Sequence, residues 1–383
     1  MHQTLIRFIR EQYRSNDFIP LHAPLFVGNE RAYVGETIDS TFVSSVGAFV
    51  DRFERDTEAY TGSARAVATM NGTAALHMAL LLADVAQGDL VLTQSLTFVA
   101  TCNAITYCGA EPVFLDVDRD TLGLSAGAVR DWLGEYAQVG DDGLCRTKAD
   151  GKVIRACLPM HTFGHPADLD GLLAVCAQWH ISLIEDAAES LGSLYRGRHT
   201  GTLGLIGTLS FNGNKIITTG GGGMLLTNAE LGAKAKYLTT TAKRPHAYEF
   251  FHDEIGYNYR LPNLNAALGC AQLEQLDRLV AAKRTLASGY AALLAGGALQ
   301  FVSEPAGCRS NYWLNAVICE DGAARDALLK ATNEQQVMTR PIWTLMSRLP
   351  MFAACRRGEL GNAEWLEARV VNLPSSVAPE MLQ

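Results

Sequence analysis

The chain has 383 residues, 48% of them hydrophobic and 19% charged, a folded composition whose length calls for a large domain plus a smaller one. A net charge of -8 excludes a general nucleic-acid binder, which needs clustered Lys and Arg to neutralise phosphates, but leaves room for a local pocket that takes a small phosphorylated ligand. Nine scattered cysteines with no CxxC pair exclude a zinc ribbon or thioredoxin-like motif and fit the reduced thiols of a cytoplasmic protein.

Met1–Arg14 sets Arg7, Arg10 and Arg14 among Leu5, Ile6, Phe8 and Ile9, the pattern of an amphipathic helix. No apolar stretch of secretory or membrane-spanning length follows, so a soluble intracellular chain is expected. Ala64–Thr69 reads as a short strand, and Asn71 can cap a helix with Leu76, Ala79, Leu80 and Ala83 on one face. Gly88-Asp89 breaks that helix. Leu90–Thr93 then reads as strand, Phe98–Tyr107 as helix, Pro112–Leu115 as strand and Ala126–Tyr136 as helix. Asp141–Lys152 is polar and Gly-containing, an exposed hairpin or loop. Val153–Leu158 is a strand, Leu169–Trp179 a helix, and Ile181–Glu185, Gly207–Phe211 and Met224–Thr227 are strands. Leu264–Leu294 is mostly helical and opens a second domain.

This alternation predicts an α/β fold, with a mostly parallel sheet covered by helices on both faces and ligands gathered where strands end. The division expected is an N-terminal segment 1–45, a large domain 46–262 and a small C-terminal domain 263–383.

Four segments carry chemistry, each at the exit of a strand or the start of a helix. Asn71-Gly72-Thr73 opens a helix, where free backbone N–H groups and the helix dipole favour an anion such as phosphate. A plain helix cap needs the same residues. Asp186 follows an apolar strand and precedes two alanines, small enough to admit a flat ring. A carboxylate there can pair with a protonated pyridine nitrogen, making the ring an electron sink, or it can cap the next helix. Lys215 leaves a strand through Ser210-Phe211-Asn212-Gly213-Asn214 and enters a Gly-rich stretch. It can form a Schiff base with Ser210 on a phosphate, or stand as a surface lysine before a turn. The fourth segment, Gly256–Asn263, is dense in donors and aromatics and equally suits a packed loop at a domain junction.

Taken in order, these segments resemble the DegT/DnrJ-type nucleotide-sugar aminotransferases, a branch of the fold-type I pyridoxal-phosphate (PLP) enzymes. The resemblance runs from about Ile19 to Pro374, on NGTAALHMAL, LTFVATCNAI, PVFLDVDRDT, EDAAESLG, SFNGNKIITTGGGGM and GYNYRLPN. It implies a large domain with a mixed, mainly parallel sheet, a smaller C-terminal α/β domain, and a homodimer with shared active sites. By the same resemblance Lys215 carries PLP and Asp186 pairs with its ring nitrogen. Gly72, Thr73 and Ser210 hold the phosphate, joined by Asn258 of the neighbouring subunit. Phe98 and Ala188 lie on the two faces of the ring, and Glu189 takes a position near the ring hydroxyl where many relatives have Gln. An ionised Glu cannot donate the hydrogen bond that Gln would.

More narrowly, FIPLHAPLFVGNE, FVSSVGAFVDRFE and DVDRDTLGLS are similar to the legionaminic- and bacillosamine-type subgroup. The implied reaction moves an amino group from glutamate to the 4-keto carbon of a nucleotide-linked sugar, UDP-2-acetamido-2,6-dideoxy-4-keto-hexose. Asn311, Tyr312, Trp313, Arg340 and Trp343 are the implied nucleotide-sugar contacts, with small-domain core the competing role for the aromatics. His161 reads as a structural histidine that could instead face the pocket.

A branch of related sugar dehydratases carries histidine at the Schiff-base position, so Lys215 favours amino transfer; a 3-keto sugar acceptor stays open. An NAD-dependent oxidoreductase needs GxGxxG after a first strand, whereas the Gly220–Gly223 run leads into a strand. A regulatory protein on an inactive aminotransferase fold would have no need of Lys215, Asp186 and Ser210 together.

Overall fold

The computed structural model describes residues 2–382. Helix α1 (His2–Tyr13) buries Leu5, Ile6 and Ile9, as its amphipathic pattern requires; Met1 lies outside the described residues. Two helices absent from the periodicity reading follow, α2 (Glu30–Asp39) and α3 (Ala48–Thr61). The alternating region then begins with β1 (Arg65–Thr69), α4 (Gly72–Leu82), β2 (Leu90–Gln94), α5 (Val99–Tyr107), β3 (Glu111–Leu115) and α6 (Ala126–Tyr136). The polar stretch after α6 folds as an antiparallel hairpin of β4 (Ala137–Val139) and β5 (Cys145–Thr147). Next come β6 (Ile154–Leu158), α7 (Leu169–Gln178), β7 (Ser182–Asp186) and the small ribbon β8 (Leu194–Tyr195) and β9 (Arg198–His199). The region ends with β10 (Ile206–Ser210), β11 (Gly223–Thr227) and α8 (Ala229–Thr239).

Seven of these strands form one sheet in the order β1-β11-β10-β7-β6-β2-β3. Only β11 runs against the others, pairing antiparallel with both β1 and β10. The ends of β1, β2, β6, β7 and β10 therefore open on one edge, together with the start of β11. Strand β2 is buried along its whole length, and β6, β7 and β10 nearly so, as strands covered by helices on both faces are. Helix α4 is apolar almost all round, with Ala74, Ala75, Leu76, Met78, Ala79 and Leu80 buried, and a helix without a polar face must be enclosed. It packs between β10, β11, α5 and α8, which fixes its N-terminus at the open edge of the sheet.

The C-terminal part contains α9 (Asn263–Leu273), α10 (Leu276–Leu294), β12 (Gln300–Phe301), β13 (Cys308–Arg309), β14 (Asn315–Ile318), α11 (Gly322–Glu334), β15 (Arg340–Pro341), α12 (Gly361–Glu367) and β16 (Val370–Leu373). Four of these strands make a second sheet, in the order β12-β14-β16-β15. Helix α1 joins that part: Leu5, Ile6 and Ile9 share a core with Leu286, Tyr290, Val317 and Val371. Helix α9 packs instead on α2 and α3, and β13 pairs with β8 beside the large sheet. Among the described residues no helix is long and apolar enough to cross a membrane.

Candidate active site

A cavity of about 330 Å³ opens at the edge where β1, β7 and β10 end, within the size range of small-ligand pockets. Gly72, Thr73, Phe98, Asp186, Ala188, Glu189, Ser210, Lys215, Trp313 and Trp343 all line it. Residues separated by more than two hundred positions thus meet at one place because the strand order brings their loops together.

Each group has a local cause. Asn71 caps α4 by accepting the Ala74 amide, so the first amides of the helix face the cavity. Gly72 allows the approach of β10: a Cβ there would stand 2.9 Å from Ser210 Cβ. Lys215 sits in a turn closed by its own N–H on the Asn212 carbonyl at 3.0 Å. Its side chain, 11% exposed, places Nζ 3.3 Å from Glu189 Oε1 and 4.0 Å above the Trp313 ring. The Trp313 indole is anchored by donating Nε1–H to the Asn214 carbonyl at 2.7 Å.

Asp186 is buried at the end of β7. Thr101 Oγ1 donates to its Oδ2 at 2.8 Å, and the Ala188 amide donates to Oδ1 at 3.2 Å. Burial pushes this carboxyl above its usual range, against those two donors and the nearby Lys215 ammonium. Glu189 is also pushed up by burial, with Lys215 opposing. Its Oε2 accepts the Phe163 amide at 2.9 Å, and Phe163 adopts a left-handed φ of 57° that turns that amide toward it.

The structure corrects three of the expected substrate contacts. Asn311 is fully buried, and its Nδ2 donates to the Glu189 and Leu191 carbonyls, both at 2.9 Å, while Oδ1 accepts the Trp313 amide at 2.8 Å. With its amide spent on the backbone, it braces the wall of the cavity and has nothing left for a ligand. Tyr312 points away, its hydroxyl accepting the Glu304 amide at 3.0 Å and its ring edge-on to His165. Arg340 lies exposed on β15, paired with Asn372 of β16, and is not among the residues that line the cavity. Asn258 is exposed and lies outside this subunit's cavity.

His161 is buried beneath the site. Its Nδ1 accepts the Ala167 amide at 3.1 Å, so the proton is on Nε2, which donates to Glu185 at 3.0 Å. Burial would raise Glu185, but His161 and the Gly201 and Gly204 amides hold it below the usual range. The pair carries Asp186 from behind, since the Asp186 carbonyl accepts the His161 amide at 3.1 Å.

Sequence reasoning missed Thr101, Asn212, Asn214 and Met160. The spacing Thr97–Thr101 puts both hydroxyls on one face of a helix start, where they meet at 2.8 Å, but nothing local says that Asp186 lies beside them. Arg260 Nε is buried with no hydrogen-bond partner among the described residues.

A model of the DegT/DnrJ/EryC1/StrS aminotransferase family matches residues 26–381. The chain belongs to this family. It is 38% identical to a Bacillus subtilis protein assigned as a pyridoxal phosphate-dependent aminotransferase, EpsN, over 87% of this chain and 84% of that one. It is 37% identical to the GDP-perosamine synthase of Caulobacter vibrioides, over 93% of both chains. Among solved structures, the aminotransferase TlmJ from Streptoalloteichus hindustanus superposes with a TM-score of 0.84 at 29% identity, covering 94% of this chain and 93% of that one. This DegT-family chain is an aminotransferase dependent on pyridoxal 5'-phosphate, with the fold of the sugar aminotransferases.

The donor set fits that cofactor. Asp186 is a buried carboxylate with hydroxyl and amide donors but, among the described residues, no cation bonded to it, which suits a protonated ring nitrogen. The α4 N-terminus, with Thr73 and Ser210 around the Cβ-free Gly72, is a cradle for a phosphate.

Proposed function

We propose that this chain transfers the amino group of glutamate to the 4-keto carbon of a nucleotide-linked 4-keto-6-deoxy sugar, the acceptor being UDP-2-acetamido-2,6-dideoxy-4-keto-hexose. The observation that carries the amino-transfer half is the convergence of Lys215 and Asp186 on one cavity beside a phosphate cradle. Bound pyridoxal phosphate supplies an electron sink that stabilises charge developing at the carbon losing or gaining a proton. Asp186 keeps the ring nitrogen protonated, and Gly72, Thr73 and Ser210 hold the phosphate. Lys215 Nζ anchors the cofactor and moves a proton to and from the reacting carbon. Phe98, Trp313 and Trp343 form apolar walls that exclude water from the sugar's side of the cavity.

The choice of a nucleotide sugar is supported by the similarity to the GDP-perosamine synthase, whose name carries a GDP-linked amino sugar. That name also favours a second reading, a GDP-linked acceptor. The 4-keto, UDP-linked choice rests on the subgroup resemblance of the N-terminal stretches. The reading includes a homodimer in which Asn258 completes the partner's phosphate site. It is supported by the exposed Asn258 and by exposed Tyr248, Phe250, Phe251 and Ile255 beside it in sequence, an apolar group that a second subunit would cover.

The test incubates the protein with pyridoxal phosphate, glutamate and UDP- and GDP-linked 3-keto and 4-keto sugars, following 2-oxoglutarate and the mass of the amino sugar. Product from the UDP-linked 4-keto sugar is expected. Product from 3-keto sugars alone defeats the 4-keto assignment, and no 2-oxoglutarate with any acceptor defeats the whole reading. Lys215→Ala should lose the visible absorbance of the lysine-linked cofactor and at least roughly 10²–10⁴-fold in turnover.

A further inference from the structure

Helix α4 carries His77 one turn below Thr73, hence on the side of the helix that begins at the phosphate cradle. His77 is 6% exposed and enclosed by three aromatic rings: Tyr107, Tyr257 and Tyr259 stand edge-on at 5.9, 5.2 and 6.0 Å. Its Nδ1 lies 3.0 Å from the Tyr259 hydroxyl, while Tyr257 and Tyr259 stack on each other at 5.1 Å. Burial lowers the imidazole's pKa. The backbone of the same loop is held too. The Met70 amide donates to the Tyr259 carbonyl at 2.8 Å, and Tyr257 and Tyr259 donate to the Leu238 and Thr239 carbonyls at 2.7 and 3.1 Å. Between the two clamped tyrosines sits Asn258, exposed, its Oδ1 accepting a long 3.5 Å hydrogen bond from Arg260 Nη2 and no shorter one among the described residues.

We infer that His77 is a positioning residue acting across the subunit boundary: through Tyr259 it fixes the loop that presents Asn258 to the partner's phosphate site. This rests on the dimer reading above. His77 touches no reacting atom. Its effect is to remove the freedom that a loop with an exposed tip would otherwise lose on binding.

Three variants separate the hydrogen bond from the packing. Tyr259→Phe removes one oxygen, His77→Leu removes the ring, and His77→Asn keeps a polar atom near the Nδ1 position. Equilibrium binding of pyridoxal phosphate should weaken roughly three- to ten-fold in the first two, the worth of one hydrogen bond, and recover in the third. Turnover at saturating cofactor should stay within about two-fold, a split that a general loss of stability does not produce. Mixed dimers decide the direction. A His77→Leu subunit paired with a Lys215→Ala subunit that keeps His77 should bind cofactor at its one lysine with native affinity. Weak binding there, or unchanged affinity in a dimeric Tyr259→Phe protein, overturns the inference alone. A monomer by sedimentation that is fully active overturns the dimer reading and this inference with it.

Discussion

The carboxylate that must stay ionised inside the site depends on a hydroxyl from another helix. Thr101 donates to Asp186 Oδ2 at 2.8 Å, and among the described residues the one other hydrogen bond to that carboxylate is from the Ala188 amide at 3.2 Å. Thr101→Val keeps the side chain's shape and removes one of the two donors. Hydrogen bonds to charged groups contribute about 1.5–3 kcal/mol. That free energy is roughly a ten- to hundred-fold change in the balance between the ionised and protonated forms, so losing this donor raises the Asp186 pKa further. The sign is fixed: the donor stabilises the ionised form, so its loss favours the protonated one. The acid limb of the pH profile of kcat/KM should therefore move to higher pH. Below the shifted limb the variant loses roughly ten- to a hundred-fold, and at alkaline pH it rejoins the native enzyme. Thr101→Ser, which keeps the hydroxyl, should restore the native limb. The assay is the rate of 2-oxoglutarate release across pH. An unmoved acid limb refutes the reasoning, and an equal loss at every pH assigns the effect to misfolding.

Three further outcomes follow from the geometry. Gly72→Ala adds a methyl 2.9 Å from Ser210 Cβ, an overpacking of about 1–3 kcal/mol that should weaken cofactor affinity up to about a hundred-fold, read by equilibrium binding; native affinity would show that α4 does not need that approach. Asn311→Leu leaves the Glu189 and Leu191 carbonyls and the Trp313 amide without their partner, so urea denaturation should show a loss of about 3–5 kcal/mol. A shift in the KM for the acceptor with stability intact would return Asn311 to the substrate. Burial lowers His165 and His199 to about 4, so the native state takes up fewer protons than the unfolded chain below pH ~6.5. Stability contributed by keeping them neutral is full above that pH and is lost as pH falls toward 4, by roughly 3 kcal/mol for each. Denaturation at pH 7 and 4.5 measures it, and a flat profile, or one that His165→Leu leaves unchanged, contradicts the assignment.

Much of the large sheet is legible in the chain because each element announces itself locally. Ala126–Tyr136 is a helix over the expected span, with Ser125 accepting the Ala128 amide at its start, and the strands shift by one or two residues at most. Helix α8 had a readable start, Asn228 as cap with Glu230 in the first turn, and α3 had Phe49, Val50, Phe53 and Thr57 on one face. Helix α2 had little to read: only Glu30 and Thr37 are buried along it, so no apolar stripe marks it.

The sequence by itself determined most strands and helices of the large sheet and the residues at or just past their ends, Asp186, Ser210 and Gly72 among them, since caps, turns and periodicity act over a few positions. Only the tertiary structure decided that Thr101 serves Asp186, that Asn311 is consumed by the backbone while its neighbour Trp313 lies under Lys215, and that Arg340 is outside the cavity lining. Those outcomes turn on sheet order and on which side of a strand or loop a side chain leaves, and contacts between distant parts of the chain leave no mark in local spacing.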